Sequence, residues 1–165
     1  MTDALLTPRQ TWVHLLVWCP ADTSNPREED QLWPRVLQVA RGDEAGPPGV
    51  VLRPGEPVRH AAERVAGALG LTLPPLRLLA VDQQPAEGDD LEQLGLVLDG
   101  GRLAANALRS CDCDSAHELV WTPVGELGRV ALVHALRTLL LDERPAVLWQ
   151  GLPAARGSGP GAGTW

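Results

Sequence analysis

The chain has no lysine, phenylalanine, tyrosine or isoleucine, so all 14 of its Lys-or-Arg positions are arginine and its aromatic residues are six tryptophans. The missing types share AT-rich codons, which reads as the mark of a GC-rich bacterial genome and removes functional weight from the arginine preference. A net charge of -7 leaves no basic surface of the kind that a phosphate backbone requires, so nucleic acid is not an expected partner. Long apolar runs are missing too: Leu15 to Cys19 stops at Pro20 and Leu139 to Leu141 at Asp142, well short of a membrane span. The opening MTDALLTPRQ lacks the basic start and apolar centre of a signal peptide. Three cysteines, an odd number, do not make a disulfide framework. A cytoplasmic, reduced protein is the simplest reading.

What is present is enough for one domain with a real core: 165 residues, 44% of them hydrophobic. Residues 1 to 10 read as a flexible lead, 11 to 153 as the domain, and 154 to 165 as a flexible glycine-rich tail with too little apolar surface to offset its ordering entropy. TWVHLLVWC, from Thr11 to Cys19, suits a strand buried on both faces. Arg35 to Arg41, Leu76 to Val81, Leu94 to Leu98 and Glu118 to Thr122 are further strands, and Ala146 to Gln150 a candidate edge. Two helices are expected. One runs from Pro57 to Leu69, with Val58, Ala61, Ala62, Val65, Ala68 and Leu69 as its apolar stripe and Gly70 as its cap. The other covers Val130 to Leu141.

The stretch from Gly49 to Leu71, GVVLRPGEPVRHAAERVAGALGL, joins a carboxylate-bearing turn to the first of these helices. It resembles the signature of the Nudix hydrolases: Gly, five residues, Glu, seven residues, then Arg-Glu-apolar-x-Glu-Glu-x-Gly. Anchored on Glu56, the pattern places its first glycine at Val50, beside Gly49, and its arginine at Arg64. Its glutamates fall at Val65, Ala68 and Leu69, and its last glycine arrives one residue early as Gly70. The strand Arg35 to Arg41, the pair LRLLAVD and LGLVLDGG, and HELVWTPVGEL also resemble family segments in the family's order. The resemblance implies an α/β/α sandwich, a mixed sheet between helices. It also implies that the Mg²⁺-binding glutamates are gone while the structural pair Glu56 and Arg64 survives.

A Nudix-fold protein of this kind is expected to bind a small molecule, an anion among the options, or a protein partner, or to run metal-independent chemistry, with no cofactor, and a homodimer is compatible with it. The alternative is a working hydrolase of nucleoside diphosphate derivatives, with Mg²⁺ held by relocated ligands. Candidate ligand contacts are Arg53, Arg59, Arg64 and Glu56, since guanidinium groups can fork onto an anion without a metal. Candidate catalytic residues are Glu118, where some family members draw a general base, Glu63, the one acid left in mid-helix, and His60. Cys111, Asp112, Cys113, Asp114 and His117 lack the second arm of a zinc site. Asp89, Asp90 and Glu92 read as a solvated acidic loop, and Trp18, Trp33 and Trp121 as core residues.

Overall fold

The computed structural model describes residues 9–22, 32–42, 44–88, 91–104 and 118–154. In chain order the elements are β1 (Arg9–Cys19), β2 (Arg35–Arg41), β3 (Glu44–Gly46), β4 (Gly49–Val51), α1 (Val58–Ala68), β5 (Leu78–Gln84), β6 (Glu92–Arg102), β7 (Glu118–Pro123), α2 (Val130–Leu140), β8 (Ala146–Trp149) and β9 (Leu152–Pro153). A 3₁₀ turn over Val124–Glu126 leads into α2. The strands form one mixed sheet ordered β3-β2-β1-β6-β5-β8-β9, with β4 added to β1 and β7 to β2. The β1–β6 and β5–β8 pairs are parallel, and the other pairs are antiparallel.

Alternation along β1 builds two cores from one strand, because successive side chains leave opposite faces of a sheet. Val13, Leu15 and Val17 meet α1 through Ala61, Ala62, Val65, Ala66 and Leu69. Leu16 faces the other way and joins Leu79, Val97, Leu148 and the α2 residues Ala131, Leu132, Ala135 and Leu136. The expected α/β/α sandwich is therefore what forms. No described helix is long and apolar enough to cross a membrane.

Differences from the sequence reading have local causes. β1 starts at Arg9 because Arg9 and Gln10 pair in register with Glu92 and Gln93, and Arg9 closes a 2.9 Å ion pair with Glu92. β3 forms in a stretch for which the sequence pattern gives no strand, where Gly46, Ala45 and Glu44 pair with Val39, Ala40 and Arg41. Ala66 replaces Ala68 in the α1 stripe: Ala66 lies one turn beyond Ala62 and is buried, while Ala68 is exposed. Trp33 is 62% exposed and so is not a core residue, whereas Trp18 and Trp121 pack against the α2-side and α1-side cores. β8 is not the sheet edge, since β9 pairs beyond it. Residues 1–8, 155–165, Asp89, Asp90 and the Cys111 to His117 cluster lie outside the described residues.

Candidate functional site

Arg53-Pro54-Gly55-Glu56 folds as a turn closed by the Glu56 N–H donating to the Arg53 carbonyl at 3.0 Å. Pro54 supplies the fixed φ of the second position, and Gly55, at φ 73°, the positive φ that the third requires. The turn aims the Glu56 carboxylate back over its own backbone, where Oε2 accepts the Arg53 N–H at 3.0 Å. Arg64, two turns along α1, forks onto both oxygens at 2.8 and 2.9 Å and also donates to the Val51 carbonyl at 3.1 Å. These hydrogen bonds, Arg64 first and the Arg53 N–H second, hold the Glu56 carboxyl at about 2, well below the ordinary 4.5. Glu56 and Arg64 thus tie β4, the turn and α1 together.

The helix end explains the early glycine. Gly70, at φ 66°, donates to Gly67 O at 3.1 Å and Leu71 to Ala66 O at 2.8 Å, the paired bonds of a Schellman cap. Leu71 then packs against the α1-side core. Of the three glutamate positions in the family pattern, Val65 and Leu69 are 3% and 5% exposed and belong to that core. Only Ala68 faces outward. A hard divalent cation needs several converging oxygens, and this donor set does not fit one. Among the described residues no group of three or more His, Cys, Asp or Glu side chains could hold a metal ion.

The other candidates are spread along the same turn and helix. Arg59 pairs with Glu63 at 3.1 Å on the exposed side of α1, and His60 is exposed in its first turn. Arg53 keeps a side chain with no ion pair among the described residues. Glu118 is exposed at the start of β7, opposite Ala40 of β2. Glu92 lies in β6 rather than in a loop, its carboxyl lowered by hydrogen bonds from Gln83 and Arg9.

The sequence reading missed His14. It stands on the α2-facing side of β1, in a stretch read as apolar throughout, and lines a cavity of about 420 Å³ between the sheet and the start of α2. Its ring stacks parallel to Trp12, with centroids 5.7 Å apart, and its Nδ1 is buried without a hydrogen-bond partner. Burial first, and then the Arg129 charge, push its pKa down to about 4 from 6.5, against an opposing pull from Asp82. The period-2 spacing of Gln10, Trp12 and His14 was the available signal: a polar-tipped face inside an otherwise apolar strand.

His14 also explains Gly49, which pairs with it across β1 and β4. A Cβ at Gly49 would sit 2.3 Å from His14 Nδ1 and 3.0 Å from the Val13 carbonyl. Gly49→Ala is therefore expected to lose about 1–3 kcal/mol, the usual cost of overpacking. Urea unfolding checks it, and a Gly49→Ala/His14→Ala double variant should recover part of the loss, since it removes the clashing ring.

A helix–sheet–helix sandwich with an arginine-locked turn at the start of one helix defines a class of α/β protein, and solved structures identify its fold. The chain is similar to a mutT/nudix family protein from Listeria innocua, with a TM-score of 0.63, 17% identity, and coverage of 82% of this chain and 97% of that one. It is also similar to the NUDIX domain of Shewanella oneidensis NrtR complexed with ADP ribose, with a TM-score of 0.58, 12% identity, and coverage of 85% and 94%. Shewanella oneidensis NrtR complexed with a 27mer DNA matches at a TM-score of 0.56 and 13% identity, over 80% of this chain and 63% of that one. No family model and no curated protein sequence matches the chain. The chain has the Nudix fold.

Proposed function

We propose that this is a Nudix-fold protein that holds a small anionic metabolite without metal-dependent pyrophosphate hydrolysis, either as a binding protein or as the seat of metal-free chemistry. The observation that carries this reading is the packing of Val65 and Leu69 into the α1-side core, at two positions where the family pattern has glutamates. Glu56 is committed to Arg64, and Glu63 lies beside Arg59, so neither is a spare oxygen ligand. Arg53, without an ion pair among the described residues, is the side chain we assign to first contact with the anion. The net charge of -7 supports a small ligand rather than nucleic acid.

ADP-ribose, the ligand seen with the Shewanella NUDIX domain, is the first probe, alongside other nucleoside diphosphate derivatives. With Mg²⁺ or Mn²⁺ present, no product above the uncatalysed background is expected by phosphate or AMP release. Robust turnover would overturn the reading and favour relocated metal ligands. Where calorimetry detects binding, Arg53→Ala should weaken it about tenfold, the share of one charge-assisted contact.

A further inference from the structure

The cavity beside His14 lies on the opposite face of the sheet from α1, so what it binds is independent of the reading given for the box turn. Its floor is the parallel Trp12–His14 pair, and Val97 and Leu132 give it apolar walls. Three charged side chains line it: Asp82 from β5, Glu87 from the segment after β5, and Arg129 at the start of α2, which forms an ion pair with neither acid. Asp82 accepts the Gly151 N–H at 2.8 Å and the Gln84 side-chain amide at 2.7 Å, one bond on each oxygen, and a carboxylate has lone pairs for further donors. Arg129 has no ion-pair partner among the described residues. It caps α2 without a side-chain hydrogen bond, and no acid occupies the first turn. Val130 and Ala131 line the cavity and precede the first helical bond, which Leu132 donates to the Arg129 carbonyl, and the start of a helix favours negative charge.

A separated cation and anion over a flat aromatic floor select a ligand with the same three features in mirror arrangement. We propose that this cavity binds a small zwitterion with a flat apolar body, of which a free aromatic α-amino acid is the simplest case. Its carboxylate meets Arg129 and the start of α2, its ammonium meets Asp82, and its ring lies against the Trp12–His14 stack. The volume of about 420 Å³ falls within the range of small-molecule pockets. His14, with Nδ1 buried against Gly49 and no partner there, serves as part of the aromatic surface and not as a third charge.

The test is titration of the whole chain with L-phenylalanine, 3-phenylpropanoate, which lacks the ammonium, and phenethylamine, which lacks the carboxylate. Binding is followed by calorimetry and by the indole N–H resonance of Trp12, assigned with a Trp12→Phe variant. L-Phenylalanine should saturate in the millimolar range or better and move that resonance, with each truncated compound weaker by about tenfold. Arg129→Gln should weaken L-phenylalanine and 3-phenylpropanoate but leave phenethylamine unchanged; Asp82→Asn should weaken L-phenylalanine and phenethylamine and spare 3-phenylpropanoate. Arg129 is exposed and Asn keeps an acceptor for Gly151, so both variants should fold, which their amide spectra verify. No saturable shift at Trp12, equal affinity for the three compounds, or binding indifferent to both substitutions would overturn the proposal. None of these results depends on whether the α1 face binds or hydrolyses a phosphate ester.

Discussion

Val65→Glu is expected to cost roughly 4 kcal/mol at neutral pH and to create no metal-dependent activity. Val65 is 3% exposed and packs with Val13, Leu15, Ala62 and Leu69. A carboxyl there has no cation or N–H donor in reach of its core neighbours, so burial raises its pKa toward the 8–9 seen for buried glutamates. Keeping it protonated at pH 7 against a free value near 4.3 amounts to about 2.7 units, or about 3.7 kcal/mol. A loss of that size is a large share of the stability of a domain this small. Because the folded-state pKa is the higher one, the penalty shrinks as pH falls toward 4.3, which separates it from simple overpacking. Ala68→Glu is the control: the site is exposed on α1, and the change should stay within about 0.5 kcal/mol. Urea unfolding at pH 7 and pH 5 reads both.

That contrast shows what sequence could and could not tell about the box. That Val65, Ala68 and Leu69 stand where the family pattern has glutamates was plain from the letters, as was the turn chemistry of Pro54 and Gly55. The Glu56–Arg64 tie was legible only through the resemblance, which implies that this carboxylate and this arginine are the family's structural pair. Whether an apolar residue leaves an empty ligand position or fills a core could not be read, because that depends on the sheet pressing against α1. Val13, Leu15 and Val17 of β1 supply that pressure. The stripe error has the same origin: Ala66 and Ala68 lie near opposite edges of the apolar face, and only the position of β1 decides between them. Trp33 failed because burial of a tryptophan beside a proline-bounded loop cannot be inferred from its size.

The cavity was illegible for a different reason. Trp12 of β1, Asp82 of β5, Arg129 just before α2 and Gln150 between β8 and β9 come from four separate stretches, and no spacing along the chain places them together. They meet because β1 and β5 both flank β6, while α2 enters the sheet from above β5 and β8. His14 alone carried a local signal, and it was masked by the strength of the apolar pattern around it.

His14 also sets a pH effect on stability above the carboxylate range. Its folded pKa of about 4 lies below the ordinary 6.5, so the unfolded chain binds the proton more readily between those values. Stability from a neutral His14 is therefore full above about pH 6.5 and falls as pH drops toward 4, with a total on the order of 3 kcal/mol. The cause is mainly burial and secondly the Arg129 charge, which makes two variants diagnostic. His14→Phe removes the titrating group while keeping an aromatic floor, and its stability should lose most of its slope over that interval. Arg129→Gln should reduce the slope without abolishing it, since desolvation remains. Glu56 cannot mimic the effect: its carboxyl, held at about 2, contributes stability that is full above about 4.5 and declines only below it. Urea midpoints measured from pH 7.5 to 4.5 therefore isolate His14, and an unchanged slope in His14→Phe would mean that the imidazole is not buried as a neutral group.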